Sequence, residues 1–98
     1  MRVKVSDIAA AAEGKLLCGE ENTVITSFIT DSREAKAGAM FVPIRGERAD
    51  GHSYIPAVLE GPAAAAFTDH EIPLGEKPLV LVKDCREALQ KAAAWYRD

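Results

Sequence analysis

No run of apolar residues in this chain is long enough to cross a bilayer. Runs such as Ala63 to Phe67 and Leu79 to Val82 fall far short of the roughly 20 residues that a spanning helix needs. The opening residues Met1 to Ile8 lack the apolar stretch of a secretory signal. Cysteine is scarce: Cys18 and Cys85 are the only two, with no Cys-x-x-Cys spacing. That scarcity predicts two buried, reduced thiols in a cytoplasmic setting in place of a disulfide framework. A basic excess is also missing. The formal net charge of −3 argues against a nucleic-acid partner, since such proteins carry a basic face.

Several chemical signatures are absent as well. A phosphate loop fails at Ala9, where its first Gly belongs, and at Leu16, where the magnesium-binding Ser or Thr belongs. There is no Gly-x-Gly-x-x-Gly, no His-Glu-x-x-His and no calcium loop. His52 and His70, with two distant cysteines, do not show a zinc-site spacing, so no metal is expected. No complete active site is legible, and a nucleophile–base pair of Ser32 with His52 has no support from spacing. What remains is one ordinary globular domain: 98 residues, 48% hydrophobic and 28% charged.

The segment "SDIAAAAEGK" predicts a short helix, with Ser6 as its cap and Gly14 ending it in a left-handed conformation. "KLLCG" predicts a strand, and Thr23 to Thr30 a stronger one, rich in β-branched residues. After a turn closed by Gly38, "AMFVPI" predicts a third strand, which Pro43 should place at an edge or break locally. "HSYIPAVLEG" predicts a second helix capped by Ser53, with Pro56 in its first turn and Gly61 as its stop. "AAAAFT" and "PLVLVK" are continuous apolar runs that suit strands buried on both faces. The last segment joins a capping box, Asp84 with Glu87, to an apolar stripe from Cys85 through Ala88, Leu89, Ala92 and Ala93 to Tyr96. The predicted order is α-β-β-β-α-β-β-α. The fold class is α/β: a single small domain with a mixed sheet of about five strands flanked by about three helices.

Two charged clusters frame the Met40–Ile44 strand. From Asp31 to Asp50 there are four bases (Arg33, Lys36, Arg45, Arg48) and four acids (Asp31, Glu34, Glu47, Asp50). Such residues can be solvated turn residues with local caps. They can equally form an anionic-ligand site, because Arg33, Arg45 and Arg48 suit phosphate while Ser32, Asp31 and backbone groups can read a base or sugar. Composition leaves both readings open.

The ordered set Asp31-Ser32-Arg33, Gly38, Phe41-Val42-Pro43-Ile44 and Gly46 through Asp50-Gly51-His52 resembles the N-terminal domain of the Mur ligases. These are ATP-dependent amide-bond-forming enzymes of bacterial peptidoglycan synthesis, and thus of cell-wall biogenesis, cell shape and cell division. "AVLEGPAAAAF" and the last 20 or so residues resemble the family's continuation, so the likeness covers nearly the whole chain. "GER" before "DGH", and the opening "VKVSDIAAAAEGKLLCG", are more similar to the branch that adds D-alanyl-D-alanine to UDP-N-acetylmuramoyl-tripeptide than to the branch that adds the third amino acid.

The resemblance implies that this domain, residues 1–98, holds the UDP end of a UDP-N-acetylmuramoyl-peptide. ATP and Mg would be bound by a central domain beyond Asp98, with no cofactor, metal or catalytic residue supplied here. On that expectation the chain is a fragment that binds and does not catalyse, with its own central domain as partner and neither membrane nor nucleic acid. Carried over by position, Asp31, Ser32 and Arg33 fall beside the uridine diphosphate. Gly46 opens the loop in which Glu47, Arg48 and Ala49 line the uracil pocket. Gly46 and Asp50 count with them as UDP-binding, and Gly51 and His52 shape the loop. Arg33 and Asp50 have a second reading, as residues that pair or cap locally without touching ligand. The sequence departs from the family at Pro43, Pro62 and Ser53-Tyr54. Two other classes of function stand beside this one: a protein-interaction module that keeps only the fold, and a small independent enzyme using Ser32, His52 or Asp50.

Overall fold

The computed structural model describes residues 1–46 and 50–97. Its elements run β1 (Val3–Lys4), α1 (Val5–Ala11), β2 (Lys15–Cys18), β3 (Val24–Ile25), β4 (Ser27–Ile29), β5 (Ala39–Phe41), α2 (Ile55–Glu60), β6 (Ala65–Thr68), β7 (Leu79–Leu81) and α3 (Cys85–Arg97). Two 3-10 turns, Ser32–Glu34 and Gly51–Tyr54, follow β4 and precede α2. The main sheet has five strands in the order β2-β7-β6-β5-β4. β4 to β7 are parallel, and β2 adds antiparallel to β7. The expected class, a mixed five-strand sheet with three helices, is the one found.

Alternation along the strands sorts the core onto two faces. Met40, Val42, Ala65, Phe67 and Val80 face α1 and α3, whereas Phe41, Ala66 and Leu79 face α2. Because helices cover both faces, β5 and β6 are buried at every position and read as unbroken apolar runs. Fully burying a side chain such as Phe67 contributes about 1.5–3 kcal/mol.

Several sequence expectations are corrected. Thr23 to Thr30 is not one strand: β3 pairs with β1 in a separate two-stranded sheet, and β4 joins the main sheet. The break falls at Thr26, whose N–H donates to the Gly38 carbonyl at 2.8 Å. β-branched propensity marks the whole stretch as extended but not which partner each half takes. Of the two outcomes expected at Pro43, the edge position fails, since the strand lies inside the sheet, and the local break is the one found. The strand ends at Phe41, and Pro43 follows fully buried, where no ladder bond is required of it.

Helix α1 begins at Val5 without a side-chain cap, so Ser6 does not cap it, and Glu13 (φ 58°) takes the left-handed position expected of Gly14. The two-bond closure is intact: Gly14 N–H donates to Ala9 at 2.8 Å and Glu13 N–H to Ala10 at 3.1 Å. Asp50, not Ser53, caps the turn leading into α2, by accepting from His52 N–H at 2.9 Å. Pro56 does sit in the first turn of α2. Asp84 caps α3 through Glu87 N–H at 2.9 Å, and Glu87 reaches Lys91 at 3.0 Å. Of the two free cysteines Cys85 is buried, but Cys18 is only half-buried.

Gly14 is needed for space. A Cβ there would lie 2.8 Å from Val80 and Val82 methyls and 2.9 Å from the Leu81 carbonyl. Gly14→Ala should therefore cost about 1–3 kcal/mol by overpacking. Gly75→Ala, with nothing within 4 Å, should be neutral or stabilising by about 0.4–1 kcal/mol. Urea unfolding of both variants checks the contrast, and equal midpoints would remove the packing argument.

Candidate functional site

The two charged clusters meet at the ends of the parallel strands. Asp31, Ser32 and Arg33 follow β4, while Gly46 and Gly51 lie beyond β5, and all five line one open cleft of roughly 570 Å³. Phe41 and Ile44 also line it, as does Tyr54, which is 47% exposed. In the sequence Tyr54 stands out only as part of the Ser53-Tyr54 departure from the family pattern, and not as a site residue.

Within the first cluster the charges satisfy each other. Asp31 accepts from Arg33 N–H at 2.9 Å and from the Arg33 guanidinium Nε and Nη2 at 3.1 and 2.8 Å. The Arg33 hydrogen bonds, side chain first and then backbone, hold the Asp31 carboxyl at about 2. The pair is thus a local clasp that stiffens the Ser32–Glu34 turn. It leaves the Ser32 hydroxyl with no protein hydrogen-bond partner among the described residues. Gly51 brings the second loop close: its N–H donates to the Ile44 carbonyl at 3.0 Å, and a Cβ there would lie 2.8 Å from Ile44 N.

Asp50 and His52 turn the other way, into a network that the sequence did not reveal. Asp69, at the end of β6, accepts from Arg45 Nε and Nη2, both at 2.9 Å, and Arg45 also pairs with Asp50. Arg45 is therefore paired here and does not line the cleft, which favours the local-pairing reading of this residue. His52 is buried; its Nδ1 lies 2.7 Å from Asp50 Oδ1, and its Nε2 accepts from Asp69 N–H at 3.2 Å. Asp69 Oδ1 lies 2.7 Å from His70 Nδ1, and Cys85 Sγ stands 3.5 Å from His52 Nε2. Burial, followed by the charges of Asp69 and Asp84, pushes the Cys85 thiol up to about 12. No sequence spacing could have joined Asp69 and Cys85 to His52, because they come from three different elements. Glu47, Arg48 and Ala49, assigned by resemblance to a uracil pocket, lie outside the described residues.

Comparison with known proteins agrees with this geometry. Residues 24–97 match the Mur ligase family, catalytic domain. A UDP-N-acetylmuramoyl-L-alanyl-D-glutamate--2,6-diaminopimelate ligase of Parabacteroides distasonis is 35% identical over 100 residues, covering 98% of this chain and 20% of its own length. A UDP-N-acetylmuramoyl-tripeptide--D-alanyl-D-alanine ligase of Bacillus subtilis is 36% identical over 95 residues, covering 94% of this chain and 21% of its own. In structure, MurF from Acinetobacter baumannii superposes with a TM-score of 0.86 at 28% identity, over 99% of this chain and 21% of that one. MurF ligase from Thermotoga maritima, solved with ADP, gives 0.62 at 30% identity over 68% of this chain and 16% of its own. The chain belongs to the Mur ligase family, and it spans about a fifth of the length of these relatives.

Asp69 sets an acid limit on the fold. Burial alone would raise its carboxyl, but the Arg45 pair and then the His70 hydrogen bond outweigh it and bring the group from 3.8 to about 2. Since the folded value is the lower, the unfolded chain takes up the proton first. The stabilisation is complete above the ordinary value and is lost as pH falls towards about 2. Asp69→Asn should cost about 1–3 kcal/mol at neutral pH and flatten the acid limb of stability below the ordinary carboxylate range. Denaturant melts across a pH series check this; an unchanged acid limb would take Asp69 out of the network.

Proposed function

We propose that the chain is the N-terminal, UDP-binding domain of a cytoplasmic, bacterial, ATP-dependent ligase that adds D-alanyl-D-alanine to UDP-N-acetylmuramoyl-tripeptide. The observation that carries this reading is the Ser32 hydroxyl, which has no protein hydrogen-bond partner among the described residues and lines a cleft together with Gly46 and Gly51. A diphosphate needs hydrogen-bond donors and no uncompensated carboxylate beside it, and Arg33 neutralises Asp31 on that wall. Uracil offers two carbonyl acceptors and one N–H, which backbone groups of a tight loop can read. Glu47, Arg48 and Ala49 belong to that loop and are assigned to the uracil by resemblance alone. Tyr54 adds a flat apolar surface at the rim.

ATP and Mg belong, on this reading, to a central domain outside residues 1–98, because the chain carries no phosphate loop. The ADP-bound Thermotoga relative supports that assignment. The structural likeness to MurF favours the D-alanyl-D-alanine-adding type. The Parabacteroides relative supports a second reading, the type that adds the third amino acid; both readings use the same UDP cleft.

UDP titration of the chain, followed by amide NMR shifts, should show saturable changes at Thr30 to Arg33, Gly46 and Gly51 to Tyr54. The affinity should be in the millimolar range, about −4 kcal/mol, as fits a site completed elsewhere. Ser32→Ala should weaken it by roughly ten-fold. Shifts confined to other residues, or an unaltered affinity in Ser32→Ala, would sink the assignment, and no shifts at all would favour an interaction module that keeps only the fold.

The central domain is proposed to pack on the end of α3, where Trp95 and Tyr96 are 41% and 49% exposed. Trp95 fluorescence should be red-shifted and open to quencher in this chain. It should turn blue and protected in a form extended by the next domain with its other tryptophans replaced. Equal emission in both forms would make that surface an ordinary one.

A further inference from the structure

We propose that Asp69 is a positioning residue for the cleft lined by Ser32, Gly46 and Gly51. This role rests on the reading of that cleft as the UDP site. Asp69 closes a ring of four residues at the neck of the loop between Gly46 and Gly51. Arg45 Nε and Nη2 donate to the two oxygens of Asp69, both at 2.9 Å, and the same guanidinium pairs with Asp50. His52 Nε2 accepts the Asp69 N–H at 3.2 Å, which leaves Nδ1–H to donate to Asp50 Oδ1 at 2.7 Å. Each link has its donor and its acceptor, so the ring is complete with the groups present.

Three members of the ring belong to the neck itself. Arg45 precedes Gly46, and Asp50 and His52 flank Gly51. Arg45 and Asp50 also face each other in an antiparallel bridge, which closes the neck on itself. Asp69 alone comes from elsewhere: it follows β6, 17 residues beyond His52 and outside the motif that ends there. Through Arg45 on one side of the neck and His52 on the other, it ties the neck to the sheet.

Both glycines that line the cleft are chain neighbours of ring members. A shift of Arg45 or His52 therefore moves Gly46 or Gly51 relative to Ser32. Backbone groups that read a ligand must be held to within about 0.5 Å of their productive geometry. The links differ in weight. The His52 ring is buried and the Asp69 side chain is 16% exposed, whereas Arg45 is the most exposed member. Solvent screens its pairs, so Arg45 directs the loop more than it stabilises the fold, and Arg45→Gln tests position with little loss of stability.

UDP titrations followed by amide NMR shifts, on the chain and on Asp69→Asn, Arg45→Gln and the double variant, test this. Asp69→Asn keeps the backbone N–H for His52 but removes the charge that holds Arg45. Each single change should weaken UDP by roughly three- to ten-fold, with the ligand-free shift changes concentrated at Arg45, Gly46 and Asp50 to Tyr54. The double variant should bind no more weakly than either single one, because both open the same link. Ile8→Val, which loosens the core under α1, should leave the UDP affinity unaltered, so that lost stability alone does not explain the effect. Should Asp69→Asn fail to fold, weaker UDP binding by Arg45→Gln with the core shifts intact still supports the role. An unaltered affinity in Arg45→Gln, additive losses in the double variant, or an equal loss in Ile8→Val would each overturn the positioning role and leave the nucleotide reading in place. An unsubstituted chain that shows no UDP shifts would overturn both.

Discussion

Much of the functional end of this domain hangs on one carboxylate. Asp69 sits where β6 ends and gathers Arg45 from the loop after β5 and His52 from the turn before α2. Without it Arg45 and His52 would lose their link to the end of β6 and keep only Asp50 as a shared partner. Solvent screens the Arg45 pairs, whose side chain is 58% exposed, so the contacts of the buried His52 ring carry most of what this network adds to stability.

The same geometry separates two jobs that lie side by side in the sequence. Residues 50 and 52 turn inward to the network, whereas Gly46 and Gly51 face the cleft with Ser32. The Asp31–Arg33 clasp repeats the principle on the other wall: charged neighbours neutralise each other and leave an uncharged hydroxyl between them. The second reading given to Arg33 and Asp50, as residues that pair or cap locally, describes the contacts they make here. Whether a ligand also reaches Arg33 is a separate matter, since its side chain is 88% exposed. At the far side Lys77 performs a similar fastening, with Nζ donating to the Gly61 and Ala63 carbonyls, both at 2.6 Å, so that the β6–β7 loop closes the C-terminal end of α2.

The sequence was most legible where physics is local or where burial is complete. α3 carries its capping box and stripe in consecutive turns, and β6 and β7 are apolar runs because helices cover both faces. It was least legible where a distant residue decides. Nothing near Thr26 foretells the Gly38 carbonyl that splits β3 from β4. Gly14 reads as a helix stop, but β7 packing is what excludes a side chain there. Ser53 and Asp50 are both acceptable caps, and only the fold chooses between them. The cleft itself was half legible: its motif residues stand together in sequence order, while Tyr54 and the Asp69 network depend on the approach of β6.

On the proposed function, the cleft lined by Ser32, Gly46 and Gly51 receives a nucleoside diphosphate. A crystal structure of the chain soaked in UDP tests it most directly. The expected result is diphosphate density within hydrogen-bond reach of Ser32 Oγ, with the uracil ring against the Gly46 loop. Density instead in the apolar groove between α2 and the β6–β7 loop, or beside His70 and Asp69, would contradict the account.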